Sequence, residues 1–375
     1  MDLIKLTQDM VAFNSTSSLS NAPVSDYIQK QLRKIGFQTE QVAYDDNGVK
    51  KVSVVGRKGK GKGGLALLCH SDTVPADDWA GPGGPFKATV VDGRIYGRGS
   101  GDMKGQIACA LCAAERFNAS ALKQPITVVA TSDEETSCGG AKAVVADSGL
   151  FRETGIRHGV ITEPTRLQVV HAHKGAMRFI ATAKGRAAHS STGKGFNAHL
   201  KMIPFLHDMW EMYHEITTDK KHFNNAFDPP FSDWNITIND GNTASNVTVP
   251  LSRATINYRA MPGQDVASIV GRVKASARKH GVHLAPMKIG KPFFTSLDSK
   301  IVKEALGVTR RPEARTVSYG TDGMVFGEYL ESVVLGPGDI KQAHTHDEWV
   351  SIDQLRKGIE VYAKLIDRFC AQGEG

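Results

Sequence analysis

Cysteine is scarce in this sequence, which has only five among 375 residues. Their odd number and scattered positions argue against the disulfide framework of a small secreted protein. Cys109 and Cys112 have the C-x-x-C spacing of redox and metal sites, but they lie in the apolar stretch "QIACALCAAERF" (106–117). That stretch predicts a buried helix, so packing in the core is the favoured interpretation of both thiols.

Several other features are missing, and each absence disfavours a class of protein. No apolar run reaches the roughly 18 residues of a membrane span, and no G-x-S-x-G sequence offers the nucleophile elbow of a serine hydrolase. The stretch "GRKGKGKG" (56–63) lacks the Ser or Thr that a P-loop requires. No aromatic-rich basic surface accompanies the net charge of +7, so nucleic-acid binding is disfavoured and anionic small substrates are favoured.

The first half of the chain alternates predicted helices and strands. The N-terminal stretch 1–13 predicts an amphipathic helix rather than a signal peptide, so we expect a cytoplasmic protein. A second helix would be capped by Asn21 and stopped by Gly36, and the Lys/Gly-rich residues 57–64 are typical of a hairpin loop. The apolar runs 64–70, 126–131 and 159–162 then predict buried strands of a mainly parallel α/β sheet flanked by helices.

The pattern changes after about residue 173. A strand, a long helix, two strands, a second helix (266–281) and a last strand (283–289) are predicted in that order. The order β-α-β-β-α-β is that of a ferredoxin-like α+β unit. Because the α/β pattern returns afterwards, we expect an inserted domain at 174–289, between residues 1–173 and 290–375, which together form the larger domain.

Polar side chains follow four separate apolar strands. His70 ends "GLALLCH", "DEE" (133–135) follows "ITVVAT", Glu163 follows "GVIT", and His344 comes after "SVVL". Ligands of open α/β sheets bind beyond the carboxyl ends of the strands, so these residues can converge. Asp102, in the glycine-rich "GRGSGDMKG", is a fifth candidate. A solvated loop is the ordinary alternative for the acidic cluster, and each histidine alone is more often structural.

Together these residues offer two histidines and three carboxylates at one sheet edge. Mixed nitrogen and oxygen ligands suit Zn²⁺, and the number of ligands indicates two ions that lower the pKa of a water between them. Glu134 and Glu135 cannot both face one metal easily, so one would be a ligand and the other a general base, in either order. Asp72 could orient the ring of His70.

The motifs carrying these residues resemble, in order, those of the M20 family of dinuclear zinc metallohydrolases. They are "CHSDTVP", "GRGSGDMKG", "TSDEETSCGGA", "ITEPT", "AAHSS" and "AHTHDEWV". Within that family, "EPTRLQVVHAHKG" and "GPGDIKQAHTHDE" are most similar to the acetylornithine deacetylase group. The resemblance implies a zinc-peptidase-like catalytic domain, an inserted lid or dimerisation domain, and two Zn²⁺ ions per subunit, with Co²⁺ as an alternative.

The resemblance also implies a role for each residue in the larger domain. His70 and Glu163 would hold one zinc, Glu135 and His344 the other, and Asp102 would bridge the two. Glu134 would be the general base and then the proton donor to the leaving amine. Asp72 would orient His70. The peptide bond between Asp102 and Met103 would be cis.

In the inserted domain the resemblance implies a homodimer and a substrate site. His189 would reach across the dimer interface and stabilise the oxyanion. Asn246 and Arg259 would grip the substrate carboxylate, and Lys174 would help to recognise one end of the substrate. The implied reaction is deacetylation of acetylornithine. A succinyl-diaminopimelate desuccinylase, an acetylcitrulline deacetylase, a carboxypeptidase and a non-catalytic small-molecule binding protein are the alternatives.

Overall fold

The structure is a computed structural model that describes residues 1–286 and 288–372. Met287, within the predicted strand 283–289, and residues 373–375, at the end of the predicted third segment, lie outside the described residues. The strands are β1 (Gln38–Asp46), β2 (Val49–Lys58), β3 (Leu65–His70), β4 (Thr89–Val91), β5 (Arg94–Tyr96), β6 (Ile126–Thr131), β7 (His158–Ile161), β8 (Val170–His173), β9 (Ala176–Lys184), β10 (Asp233–Asn239), β11 (Leu251–Arg259), β12 (His283–Leu284), β13 (Lys288–Gly290), β14 (Phe293–Phe294), β15 (Arg315–Val317), β16 (Glu331–Val334) and β17 (Trp349–Ser351). The helices are α1 (Leu3–Val11), α2 (Ala22–Lys34), α3 (Gly105–Glu115), α4 (Gly139–Asp147), α5 (Gly149–Thr154), α6 (His199–Thr218), α7 (Val266–His280), α8 (Lys300–Thr309), α9 (Gly323–Phe326) and α10 (Ile352–Ile366).

Two compact units make up the described chain. Of the described residues, the first unit comprises 1–172, 294–315 and 321–372, and the second comprises those within 173–293 and 316–320. The predicted return to the larger domain is at residue 290, whereas in the structure it falls at Phe294, and a further short segment belongs to the second unit. Among the described helices, none is both long and apolar enough to cross a membrane.

A large mixed sheet organises the first unit, in the order β1-β2-β6-β3-β7-β16-β8, with the short strands β14 and β15 beside β8. Its centre is parallel, because β3 pairs in parallel with β6 and β7, and β7 with β16. Every residue of β3 and β6 is buried, as expected for strands covered on both faces. Helix α3, which carries Cys109 and Cys112, is buried almost throughout, as predicted.

Two local predictions were wrong. Residues 57–64 do not close a hairpin, because β6 lies between β2 and β3 in the sheet and pairs with both. Asn21 precedes α2 but makes no capping hydrogen bond with its side chain. Its amide instead donates to the carbonyl of Val52 (2.8 Å) and accepts from the N–H of the same residue (2.9 Å). The buried side chain therefore ties the start of α2 to β2, where unpaired backbone groups would otherwise cost stability.

The second unit has the predicted ferredoxin-like topology. Its sheet runs in the order β10-β11-β9-β12, with β13 also pairing with β9, and all neighbours are antiparallel. Alternate residues of β9 and β11 are buried, which is the period of a sheet with one covered face. Phe179, Met202, Phe205, Ile256 and Val273, all buried, belong to the hydrophobic core that these strands form with α6 and α7.

Candidate active site

Four of the candidate residues lie at the ends of parallel strands, at one edge of the large sheet. His70 is the last residue of β3, Glu134 and Glu135 come just after β6, and Glu163 lies two residues beyond β7. The register pairs His70 with Thr131 and Leu68 with Ile161, so these strand ends are level with one another. These four residues therefore converge at one edge of the sheet, as the strand pattern predicts.

The three adjacent acids of "DEE" separate into two environments. Asp133, with a positive φ of 55°, turns away and pairs with the buried Lys51 ammonium at 2.8 Å. The Tyr44 hydroxyl donates to its other oxygen at 2.5 Å. Glu134 and Glu135 instead join the cluster at the strand ends. Asp133 is therefore separated from the other two acids, and the Lys51 ammonium supplies the positive charge that offsets its own.

Asp102 lies between the two histidines. Its Oδ1 is 3.0 Å from Nε2 of His70, and its Oδ2 is 3.4 Å from Nε2 of His344. His70 Nε2 is also 3.7 Å from Glu163, and His344 Nε2 is 3.0 Å from Glu135. One carboxylate therefore faces two histidines, each of which has a further carboxylate beside it.

The ligand atoms of this cluster are close enough to share ions. Those of His70, Asp102 and Glu135 lie within 4.8 Å of one another, and so do those of His70, Glu134 and Glu163. His344 is the most accessible member, with 53% of its side chain exposed. Its φ of 62° is in the left-handed region, a strained conformation that recurs at functional sites.

Asp72 connects the parts of the cluster through more than one contact. Its backbone carbonyl is 3.1 Å from Nδ1 of His70, while its carboxylate oxygen is 3.6 Å from the same nitrogen. The carboxylate accepts the backbone N–H groups of Glu134 (3.1 Å) and Glu135 (3.3 Å) and the hydroxyl of Ser17 (2.7 Å). Asp72 therefore holds the two glutamates in place as directly as it faces His70.

Burial and mutual repulsion shift the pKa values of the carboxylates in this cluster. Burial, followed by the charge of Glu163 and Glu135, raises the pKa of Glu134 well above its usual value although His70 opposes the shift. Burial and then Asp102 likewise raise the pKa of Glu163. Hydrogen bonds with Asp102 and Glu135 raise the pKa of His344 to about 10. Divalent cations could take the place of protons in this cluster and keep the carboxylates ionised.

Three buried residues near the cluster were missed by the sequence analysis. Asp322 accepts a hydrogen bond from Thr131 at 2.6 Å, and its carboxylate, the Cys138 thiol and Glu134 lie within 4.8 Å of one another. Glu348 accepts hydrogen bonds from the backbone of the Asp102 loop. Cys138 and Glu348 lie in motifs already singled out, "TSDEETSCGGA" and "AHTHDEWV", whereas Asp322 lies in none of them. The peptide bond between Asp102 and Met103 is cis, as the resemblance implied.

The second unit carries the other four candidates. His189 is exposed, with Nδ1 2.8 Å from the Ser191 hydroxyl. Asn246 is exposed, and its carbonyl accepts from the N–H of Ser190 at 2.8 Å. Arg259 is the exposed last residue of β11. Lys174, by contrast, is buried, and its ammonium donates to the carbonyls of Pro229 (3.1 Å) and Phe231 (2.7 Å). These contacts give Lys174 a role within its own unit; its part in substrate recognition stays a prediction.

Known proteins are similar to this chain over nearly its whole length. Acetylornithine deacetylase of Myxococcus xanthus is 36% identical over 380 residues, which cover 96% of this chain and 96% of that protein. The acetylornithine deacetylase of Klebsiella pneumoniae (strain 342) is 30% identical over 379 residues, with coverage of 97% and 95%.

Solved structures match the fold over nearly the whole chain. An M20 family metallo-carboxypeptidase, Sso-CP2 from Sulfolobus solfataricus, superposes with a TM-score of 0.78 at 17% identity and covers 98% of this chain and 99% of that one. The Bacillus subtilis YxeP protein, described as a dinuclear metal-binding peptidase from the M20 family, gives a TM-score of 0.63 at 16% identity, with coverage of 97% and 96%. At such identities the likeness concerns the fold, and it confirms the predicted fold class. The sequence model of one family, peptidase family M20/M25/M40, matches residues 66–368, and the chain therefore belongs to that family.

Proposed function

We propose that this protein removes the acetyl group of N2-acetyl-L-ornithine, giving L-ornithine and acetate. Its family makes the chain a metal-dependent amide hydrolase. The similarity to acetylornithine deacetylases over almost the full length supports the choice of substrate. The observation that carries the proposal is the cluster of two histidines and four carboxylates at one sheet edge, which is suited to hydrolytic metal chemistry.

The side chains of the cluster fit two divalent cations. Imidazole nitrogens with carboxylate oxygens form the mixed ligand set that Zn²⁺ takes in hydrolases. The two oxygens of Asp102 face different histidines, so this carboxylate could serve both ions. The remaining ligands would be His70 and Glu163 for one ion and Glu135 and His344 for the other. When bound, Zn²⁺, or Co²⁺ in its place, would polarise the substrate carbonyl and lower the pKa of the attacking water.

Glu134 is the residue that we propose to move protons. Its backbone is anchored on Asp72, and its pKa is raised first by burial, as suits a carboxylate that accepts and returns a proton near neutral pH. The carboxylate would take a proton from water as the water oxygen bonds to the acyl carbon. It would then give that proton to the amine nitrogen as the C–N bond breaks, leaving acetate and free ornithine.

The second unit would supply the groups that grip the substrate. An imidazole such as that of His189 can donate a hydrogen bond to the developing oxyanion. The planar guanidinium of Arg259 can hold the substrate carboxylate in a bidentate manner, with the Asn246 amide beside it. All three side chains are exposed and therefore accessible to a ligand. Lys174 would assist indirectly, because its ammonium is already bonded to backbone carbonyls.

We further propose a homodimer formed through the second unit, with His189 acting in the partner's site. Helix α6 exposes Leu200 (64%), Ile203 (59%) and Trp210 (53%) along one side, and contiguous exposed apolar side chains mark interaction surfaces. The outer strand β10 exposes Ile238 as well. Together, an apolar helix face and a free sheet edge within one unit suit association with a second copy of the chain.

The test is ornithine release from N2-acetyl-L-ornithine by the zinc-loaded protein. Succinyl-diaminopimelate and N-acetylcitrulline serve as rival substrates, and Glu134→Gln serves as the control for contaminating activity. We expect acetylornithine to be turned over fastest and the variant to be inactive. Preference for a rival substrate would keep the mechanism and overturn the specificity. A protein that binds metal but hydrolyses none of these substrates, and no dipeptide that a carboxypeptidase would cleave, would instead favour the binding-protein alternative.

A further inference from the structure

Glu348 is buried beside the loop that carries Asp102. Only 1% of its side chain is exposed. One carboxylate oxygen accepts the N–H groups of Gly101 (2.8 Å) and Asp102 (3.0 Å). The other accepts the N–H of Gly99 (2.9 Å) and Nη1 of Arg98 (2.8 Å). Four donors from one short segment, residues 98–102, therefore converge on a single carboxylate.

Arg98 extends this arrangement to the loop of His344. Its guanidinium is almost fully buried, and Nη2 donates to the carbonyl of Thr345 at 3.0 Å. The backbone N–H of Gly97 also donates to the carbonyl of Glu348 at 3.1 Å. The buried Arg98–Glu348 pair thus joins the segment just before Asp102 to the segment just after His344. It holds two candidate metal ligands that are 242 positions apart in the sequence (344 minus 102).

The chemistry at this position requires a carboxylate. A carboxylate offers two oxygens with about four lone-pair positions, whereas a glutamine offers one oxygen and directs an N–H₂ group at whatever lies on the other side. On that side are the Gly99 N–H and Arg98, or else the N–H groups of Gly101 and Asp102, and all of them are donors. Glu348→Gln is nearly the same size but must leave part of this donor set unpaired.

We propose that Glu348, through Arg98, is a positioning residue that fixes the two oxygens of Asp102 between the histidines and keeps His344 in line with them. This inference rests on the proposed metal-dependent function. Glu348 touches neither substrate nor metal on this account. It acts by holding the backbone from which Asp102 projects, as residues that support metal ligands from behind are known to do.

The experiment compares wild type, Glu348→Gln and a matched control, Glu360→Gln. Glu360, on helix α10, also accepts two hydrogen bonds from an arginine, Arg116, which directly follows α3, but this pair is exposed. Metal-free proteins are titrated with Co²⁺, and affinity and the visible absorption spectrum are recorded. We expect Glu348→Gln to lose about 10- to 100-fold in affinity for at least one Co²⁺ and to change the spectrum. Glu360→Gln should match wild type in both.

A structural role alone would give a different result. Glu348→Gln would then melt at a lower temperature but bind Co²⁺ with the wild-type affinity and spectrum, and the proposal would be overturned. If that variant does not fold, Arg98→Lys takes its place, because a lysine cannot reach Glu348 and the Thr345 carbonyl in the same way. Wild-type Co²⁺ binding by Arg98→Lys would equally contradict the proposal.

The Co²⁺ titration needs no substrate, so it separates this inference from the proposed function. A wild-type protein that binds Co²⁺ but hydrolyses none of the acylated amino acids would refute the function and leave the positioning test intact. A wild-type protein that binds no Co²⁺ would refute the metal-dependent function and, with it, this inference. In active protein, we also expect the fall in kcat of Glu348→Gln to exceed any change in KM.

Discussion

The two units of the molecule hold their candidate side chains in opposite ways. In the first unit, Asp102 and Glu163 are buried within hydrogen-bonding or ion-pair distance of the buried His70. In the second unit, His189 and Arg259 are exposed to solvent. A cluster of like charges must be assembled by the fold itself, because separate carboxylates do not collect unaided. Side chains that bind a substrate can remain solvated until the substrate or a partner binds, so the structure of the free chain shows their role less directly.

The largest effect should come from Glu134, which tests whether the buried cluster does the chemistry. Glu134→Gln keeps the size of the side chain but cannot accept a proton, so kcat should fall by about 10²- to 10⁴-fold. Zinc content, measured by atomic absorption, should stay at the wild-type level, because Glu134 is assigned to no metal on our proposal. A variant that keeps its activity would transfer the role of base to another residue. A variant that loses metal would instead make Glu134 a ligand.

A second variant tests the buried ion pair of Asp133, the acid of the 133–135 run that lies outside the cluster. Lys51→Met leaves Asp133 buried without its cation, and breaking a buried ion pair by removing one partner costs about 3–5 kcal/mol. Urea unfolding of the metal-free protein should register this loss. Lys357→Met, which breaks an exposed pair with Asp353 on α10, is the matched control and should unfold close to wild type. Equal stability of the two variants would show that Lys51 does not compensate the acidic run.

The third prediction concerns the second unit. His189→Ala should lower kcat by about 10²- to 10³-fold through loss of an oxyanion donor, with no change in zinc content. If His189 acts in the partner's site, mixing His189→Ala subunits with Glu134→Gln subunits creates hybrid dimers that have one intact site. A statistical mixture would then regain about a quarter of wild-type activity. No recovery, after subunit exchange has been verified by mass spectrometry of differently tagged chains, would confine His189 to its own subunit.

Much of the buried site could be predicted because the direction of a parallel strand determines at which sheet edge the residues after it lie. The runs before His70, Glu134 and Glu163 are apolar and strand-like, and parallel strands end at the same sheet edge. His344 follows β16 by ten residues (344 minus 334), so the strand pattern made it a candidate, whereas its pairing with Glu135 at one metal came from the resemblance. The same resemblance suggested the exposed residues of the second unit, which no pattern in the sequence would have distinguished from ordinary surface polar groups.

Contacts between distant segments were the part that could not be predicted. The bonds of Glu348 to the 98–102 segment join residues about 250 positions apart, and nothing local marks such an acid as buried. Asn21 was assigned to a helix cap because its residue type and its place before α2 suit one. In the folded chain it meets the backbone of Val52 instead, and burial there decides its partner. For Asn21, tertiary packing rather than local propensity decides the hydrogen-bond partner.

The last prediction tests how strongly burial in the first unit opposes a charge that lies outside the cluster. Lys104 follows the Asp102 loop, is fully buried, and donates to the carbonyl of Phe13 at 2.9 Å. Burial lowers the pKa of Lys104 to about 7, although Glu348 and Asp72 oppose the shift. Between that value and the ordinary lysine pKa of about 10.4, the unfolded chain binds more protons than the folded chain. Stability should therefore rise with pH in this window, by at most about 1.4 kcal/mol per pH unit.

Lys104→Met isolates this contribution. The free energy of unfolding of the metal-free wild type, minus that of the variant, should rise from about pH 7 to about pH 10 and be flat below. Lys58→Met is the control, because the pKa of Lys58 is also lowered by burial but its side chain is less enclosed, so its slope should be smaller. A flat difference for Lys104 would mean that the acids around it keep the lysine charged. The positive field of that ammonium would then have to be counted among the forces that hold Asp102 ionised.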